Sequence, residues 1–259
     1  MANDDLDASS IKQNLKIAKD LKIKIFDAID STNNECKRKH LIEPHLVVAD
    51  HQTNGRGQFA HHFYSPKSTG IYMTIVVPAQ KRFIINPGEL TAGVGNSVVQ
   101  AIFNLTNKKL QLKWINDIYQ NHKKCGGILV ETNMNDHNQI QSFIVGIGLN
   151  LYPSQFPSQI KQRAGAIFEH RIYSRNRLIA SICDCFYHMY HRQSQDLILK
   201  TYQSNMLWMN QHVTLNDNGY QLVGTIVDIN SNFQLVLKDL DGRIHNLKSN
   251  LTHQMKPTN

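Results

Sequence analysis

The chain is poor in the residues that would mark several common protein classes. Its four cysteines, at positions 36, 125, 183 and 185 of 259, show neither paired metal-ligand spacing nor the density of a secreted disulfide framework. Cys183-Asp184-Cys185 falls in a helical pattern where the two thiols point apart, so a local disulfide is not expected and a reducing cytoplasm fits best. No apolar run reaches membrane-spanning length, and Met1-Ala2-Asn3-Asp4-Asp5 is acidic where a signal peptide needs basic and then apolar residues. There is no Gly-x-x-x-x-Gly-Lys-Ser/Thr phosphate loop and no Gly-x-Gly-x-x-Gly fingerprint, so the common nucleotide folds are not signalled. No His/Cys metal cluster appears, and His61-His62 reads as two loop imidazoles. Internal repeats and low-complexity tracts are absent as well.

What is there describes a globular protein with 41% apolar residues, long enough for one large domain, or one large and one small. The formal charge of +8 admits an acidic partner such as nucleic acid. The basic residues are nevertheless spread along the chain, with Lys37-Arg38-Lys39 the tight cluster, and a solvated basic face accounts for them.

Residues 1–10 are polar and are expected to be loose, and Ile11, Leu15, Ala18 and Leu21 then recur at near-helical spacing. Ile23-Lys24-Ile25-Phe26 alternates like a strand and leads to Asp30-Ser31-Thr32-Asn33-Asn34-Glu35, a helix start rich in N-caps. Ser31 and Thr32 serve there as caps, or as hydroxyls that reach a small polar ligand beside exposed amides. Leu46–Ala49 and Gly70–Val77 read as strands joined by Gln52-Thr53-Asn54-Gly55-Arg56-Gly57-Gln58. An arginine between two glycines is well placed to meet an anion, although the loop alone is equally an ordinary long connection.

Pro87 opens a helix with a buried stripe at Leu90, Val94, Val98, Ile102 and Leu105. Leu110–Trp114, Gly127–Glu131 and Phe143–Gly148 supply further strands, and helical patterns cover Leu178–Tyr190 and Leu197–Met206. From Val213 onward short strands alternate with turns at Asn218-Gly219 and Asp241-Gly242, the texture of a small β domain. The strand ends of the larger part collect Ser31, Thr32, Gln52, Arg56, Lys113, Asn116, Asp117, Lys124 and Asn150. Two lysines and an arginine against one aspartate suit substrates that carry negative charge, such as a carboxylate and a triphosphate.

Six stretches, in order, resemble the biotin protein ligase family. They are Ser31-Thr32-Asn33, Gln52-Thr53-Asn54-Gly55-Arg56-Gly57, Phe63-Tyr64-Ser65-Pro66, Lys113-Trp114-Ile115-Asn116-Asp117, Lys124–Glu131 and Gly146-Ile147-Gly148-Leu149-Asn150. The resemblance covers residues 23–150. It implies an α+β fold: a mixed-sheet catalytic domain over residues 1–209 with helices on one side, then an SH3-like β-barrel over 210–259. It also implies two half-reactions: biotin and MgATP give biotinyl-5′-AMP, and the biotinyl group then passes to a lysine of a biotin carboxyl carrier domain. Biotin and ATP are substrates on this reading, Mg²⁺ travels with ATP, and no tightly bound cofactor is required.

The resemblance gives each position a role. Ser31, Thr32, Asn33 and Gln52 would hold the ureido head of biotin. Gly55, Arg56, Gly57 and Gln58 would begin the loop that closes over biotin and the adenylate. Lys124 would contact the biotin carboxylate and the reacting phosphate, with Lys113 adding positive charge, so that Lys124, Lys113 and Arg56 carry the chemistry. Asn116 and Asn150 would lie towards adenine, and Asp117 would orient a lysine or Mg²⁺. A winged helix-turn-helix, present in family members that also repress transcription, is not expected in the short segment before residue 23. A homodimer is left open. Two other readings compete: a lipoate or octanoate protein ligase of the same fold, and a non-catalytic basic nucleic-acid-binding regulator.

The chain departs from many family members after Gly57, where Gln58-Phe59-Ala60-His61-His62 stands in place of further arginines. Fewer cations in the loop predict faster loss of the adenylate, or a closure that depends more on the packing of Phe59 and Phe63. Gln58→Arg is expected to slow adenylate dissociation several-fold in a stopped-flow chase, and an unchanged rate would contradict the expectation.

Overall fold

Strands buried on both faces read as continuous apolar runs, because each alternate side chain meets a packed layer. The run Gly70–Val77 is of this kind, and a seven-stranded sheet is built around it. In the computed structural model residues 4–249 and 252–258 are described. The strands are β1 (Lys22–Ile29), β2 (His45–Gln52), β3 (Gly70–Pro78), β4 (Gln111–Lys113), β5 (Asp117–Gln120), β6 (Lys123–Met134) and β7 (Ile140–Asn150). Their spatial order is β1-β2-β3-β7-β6-β5-β4, parallel between β1 and β2 and antiparallel elsewhere, so the sheet is mixed.

The helices are α1 (Ala8–Asn14), α2 (Thr32–Arg38), α3 (Lys81–Ile85), α4 (Pro87–Thr106), α5 (Ser158–Lys161), α6 (Arg175–Arg192) and α7 (Gln195–Ser204). Leu46, Val48, Ile75, Val77 and Val145 share the main core with residues of α1, α4, α6 and α7. The alternate residues Val47, Val76 and Ile144 form a separate small core with Cys36 of α2. Period-two alternation sends these two sets to opposite faces. The expectation of helices on one side is therefore corrected, since α2 covers the second face as the crossover of the parallel β1–β2 pair.

In the helix opened by Pro87 the predicted residues Leu90, Val94, Val98 and Ile102 are fully buried and Leu105 is half-buried. It ends at Asn107, whose φ of 55° gives a left-handed cap. After α7 the chain forms β8 (His212–Asp217), β9 (Tyr220–Ile229), β10 (Leu235–Asp239), β11 (Ile244–Leu247) and β12 (Thr252–Pro257). These make an antiparallel sheet in the order β11-β10-β9-β8-β12, with register shifts in the β9–β10 and β8–β12 pairs. Its apolar residues, among them Val213, Ile226 and Leu235, are continuous with the main core. Trp114 Nε1 donates to Phe233 O at 3.0 Å, which ties this sheet to the β4–β5 turn.

Of the ten N-terminal residues expected to be loose, 1–3 lie outside the described residues and 4–10 are held in place. Arg175, 1% exposed, donates from its backbone N–H to Asp4 Oδ1 (2.9 Å) and from Nε to Asp4 Oδ2 (3.1 Å). Its Nη1 donates to Asp50 Oδ1 at 2.6 Å, and Asp50 in turn accepts from the amide and hydroxyl of Ser68. Asp50 lies near the end of β2 and Ser68 just before β3, so this buried network pins both stems of the loop between them. Burial alone would raise the Asp50 carboxyl, but the hydrogen bond and charge of Arg175, aided by Ser68, hold it below its ordinary value.

Removing one partner of a buried pair strands the other, so Arg175→Met is expected to cost roughly 3–5 kcal/mol in denaturant unfolding. The double variant with Asp50→Asn should recover part of that loss. Because Asp50 is depressed in the folded state, its contribution is fully present above the ordinary aspartate value and is lost as pH falls through the lower folded value. Unfolding followed from about pH 6 down to about pH 2 should therefore show a steeper acid loss in wild type than in Asp50→Asn.

Candidate active site

The start of α2, the end of β2 and the middle of β3 converge on the α2 face of the sheet. Ser31 is the N-cap of α2, its hydroxyl accepting from the Asn34 amide. Thr32 follows it, and its amide donates to Gln52 Oε1 at 2.9 Å. Thr32 Oγ1 lies 3.2 Å from the same oxygen, and Gln52 Nε2 donates to Ser65 Oγ at 3.0 Å. Thr74 Oγ1 lies 2.8 Å from Thr32 Oγ1 and 2.6 Å from Asn33 Oδ1. Asn33 Nδ2 donates to Glu131 Oε2 at 2.9 Å. Burial would raise the Glu131 carboxyl, but hydrogen bonds from Lys37 and Asn33 and the charges of Lys37 and Arg56 hold it low. Ser31, Thr32, Asn33, Gln52, Ser65, Thr74 and Glu131 are buried or half-buried, so their orientations are fixed by one another.

Gly146 and Gly148 form the floor beneath them. A Cβ at Gly146 would overlap Asn33 Oδ1, and one at Gly148 would lie 2.6 Å from the Phe63 ring. The loop 53–69 folds over this floor as an irregular hairpin, with Phe63 N–H donating to Gly55 O and Gly57 N–H to His61 O, both at 2.8 Å. Gly55 has no room for a Cβ against the Phe63 carbonyl, which explains the residue there. Arg56 Nη1 donates to Asn34 Oδ1 at 2.9 Å, and Arg56 Nη2 lies 3.5 Å from Glu131.

The opposite end is cationic. Lys124 on β6 is paired with Asp117 on β5, and Lys113 Nζ lies 4.0 Å from the same carboxylate. Lys113 also sits over the Tyr119 and Trp208 rings, 5.8 and 5.6 Å from their centroids. Burial pushes its ammonium below the ordinary value, Asp117 pulls it up, and Lys124 and Arg163 push it down again. Asn116 Nδ2 donates to Ile128 O and Ile128 N–H donates to Asn116 O, which fixes the turn against β6. Cys125, next to Lys124, is fully buried with its thiol pushed up to about 12, so it is a packing residue.

One cavity of about 730 Å³ joins the two ends. Of the residues singled out in the sequence, Ser31, Thr32, Asn33 and Gln52 line its uncharged end, and Arg56, Gly57 and Gln58 its loop side. Lys113, Asn116, Asp117 and Lys124 line the cationic end. Gly55 and Asn150 are not brought into the lining; Gly55 shapes the loop, and Asn150 Nδ2 donates to Gly165 O at 3.2 Å. Sequence reasoning missed Thr74, a hydroxyl inside an apolar run, and Glu131, which faces Asn33 across the sheet. It also missed Arg163 and the β8–β9 turn at Asn218-Gly219, both of which line the cavity. Among the described residues no group of three or more His, Cys, Asp or Glu side chains is gathered to hold a metal ion.

Residues 25–150 match the profile of the biotin/lipoate A/B protein ligase family. The bifunctional ligase/repressor BirA of Bacillus subtilis is 32% identical over 149 residues, covering 55% of this chain and 44% of the relative. The chain thus matches less than half the length of that protein. The biotin–[acetyl-CoA-carboxylase] ligase of Mycobacterium tuberculosis is 25% identical over 207 residues, covering 76% of this chain and 74% of the relative. The solved biotin protein ligase of Aquifex aeolicus in complex with biotin and ATP superposes with a TM-score of 0.79 at 24% identity, covering 92% of this chain and 99% of that one. At that identity the superposition bears on the fold.

The floor can be tested directly. Gly146→Ala is expected to displace Asn33 and cost about 1–3 kcal/mol, a fall in Tm of roughly 2–10 °C. Gly127→Ala, whose Cβ would meet its nearest neighbour at an ordinary 3.6 Å, should melt close to wild type. Equal melting of the two variants would contradict the packing described.

Proposed function

We propose, from the premise that residues 25–150 belong to the biotin/lipoate A/B protein ligase family, that the protein activates biotin with ATP and transfers it to a carrier lysine. The observation that carries this reading is the polarity of the cavity: an uncharged hydrogen-bonding head at Thr32, Asn33 and Gln52, and a cationic end at Lys113 and Lys124. A ligand with a neutral polar head and a carboxylate tail is complementary to both ends at once.

In the first half-reaction a biotin carboxylate oxygen attacks the α-phosphorus of ATP. The P–O bond to the leaving group breaks, and pyrophosphate departs with the bonding pair. Attack of one anion on another is opposed by charge, and cations held beside the path lower that repulsion. Lys124 takes this role, released from Asp117 towards the substrate, and Lys113 adds a second charge that its aromatic neighbours keep from solvent. Arg56, Gly57 and Gln58 begin the loop that shields the mixed anhydride from water, and Asn116 supports the nucleotide side. Asn150 acts at a distance through Gly165. In the second half-reaction the neutral amine of a carrier lysine attacks the acyl carbon, AMP leaves, and the amine proton passes to solvent or base. Mg²⁺ arriving with ATP would neutralise charge on the triphosphate, and Asp117, the one carboxylate among the described lining residues, would be the side chain to meet it.

The partner on this reading is a biotin carboxyl carrier domain, and the compartment is a reducing cytoplasm, supported by four free cysteines. Among the described residues no helix is long and apolar enough to cross a membrane. The chain divides near residue 210, supported by the change there from helix to short strands, and the C-terminal sheet is read as a small barrel of SH3 type. A lipoate head lacks the ureido donors and acceptor that Thr32, Asn33 and Gln52 suit, which favours biotin.

ATP–pyrophosphate exchange with biotin, with lipoate and with no acid tests the reading. Biotin-dependent exchange is expected, and Lys124→Ala should lower it about 100-fold or more, as loss of a charge-stabilising donor does elsewhere. Exchange with lipoate alone would keep the fold and replace the substrate.

A further inference from the structure

We propose that Arg163 is a polyphosphate-binding residue, the third cation of the cavity's basic end, delivered by the turn after α5 and not by the loop 53–69. This rests on the reading that the cavity takes a nucleoside triphosphate. Arg56 is the single arginine between residues 53 and 69, and it is engaged on the loop side, away from the basic end, by Asn34 and Glu131. At the basic end Lys124 and Lys113 share one carboxylate, Asp117, leaving a net charge of +1 from two cations and one anion. Arg163 lines the same cavity, and among the described residues it has no carboxylate within ion-pair distance. Its inclusion raises the net charge to +2, from three cations and one anion.

The residue is fixed to the strand that bears Lys124. Lys124 N–H donates to Arg163 O at 2.8 Å, and Gly165 N–H donates back to Lys124 O at 2.9 Å. This close approach depends on Gly165, whose Cβ would stand 2.7 Å from that of Lys123. Asn150 Nδ2 secures the same turn by donating to Gly165 O. The tie is through the backbone and leaves the exposed guanidinium at the cavity wall beside Lys124. The charge of Arg163 also reaches Lys113, where it helps to lower the ammonium's affinity for its proton. A polyanion entering the cavity relieves that repulsion, and the guanidinium fork suits two phosphate oxygens at once.

Arg163→Ala and Arg163→Lys are compared with Lys161→Ala, an equally exposed cation at the end of α5 that does not line the cavity. In biotin-dependent exchange, Arg163→Ala should raise the KM for ATP and for pyrophosphate about tenfold or more, the size of one charge-assisted hydrogen bond. The KM for biotin should stay within about twofold of wild type, Arg163→Lys should fall between the two, and Lys161→Ala should match wild type. Calorimetric titration with inorganic tripolyphosphate, without biotin, gives a second and independent readout. Tripolyphosphate affinity should fall by the same factor in Arg163→Ala. Unchanged tripolyphosphate affinity, or none measurable in wild type, overturns the proposal. Absence of exchange in wild type overturns the ligase reading, and the tripolyphosphate comparison still decides the role of Arg163.

Discussion

The side-chain amide of Gln52 joins the three segments on which the site depends. Its oxygen takes the Thr32 amide, one of the donors that the first turn of α2 leaves without a helical partner. Its nitrogen reaches Ser65 at the far stem of the loop. Helix start, strand end and loop are thereby fixed to one another before any ligand arrives, and Thr74 extends the network to Asn33. A hydrocarbon side chain at position 52 would leave several buried donors and acceptors unpaired, each costing about 1–3 kcal/mol. Preorganisation of this kind lets binding energy go to the ligand instead of to ordering the site.

The second constraint is electrostatic. The cations that assist attack of one anion on another must also be tolerated in the empty protein. Asp117 meets that need by holding Lys124 and standing near Lys113, while the Tyr119 and Trp208 rings flank Lys113. Both cations thus have a counter-charge or aromatic rings beside them in the empty cavity. The floor of Gly146 and Gly148 removes the side chains that would otherwise fill the space between the two ends. The resulting shape is a long cavity with one neutral and one basic end.

Much of this was legible in the chain because it is local. Apolar runs of strand length gave β2 and β3, a four-residue apolar spacing after Pro87 gave α4, and Ser31 before Glu35 gave the start of α2. Gln52, Lys113 and Lys124 stand at strand ends and Thr32 at a helix start, where polar residues beside apolar runs draw notice. What escaped depends on pairing between distant segments. Period two shows that β3 has two faces without showing which one α2 covers. Arg163 lies in a turn with no pattern of its own, and only the backbone pairing with Lys124 brings it to the cavity. Asp4 and Arg175 are far apart in sequence, so the tie that holds the N-terminal segment was unreadable. Asn150 reads as a site residue from its motif, yet its amide serves the 163–165 turn.

Binding of biotin and of biotinol, its uncharged alcohol, to wild type and to Lys124→Ala tests the central claim that one cavity reads a neutral head and an anionic tail. Calorimetry is expected to give biotin an advantage of about tenfold or more in wild type, the worth of one charge-assisted hydrogen bond. That advantage should vanish in Lys124→Ala, with biotinol binding both proteins alike. Equal affinities in wild type, or an advantage that survives the substitution, would contradict the assignment of the two ends.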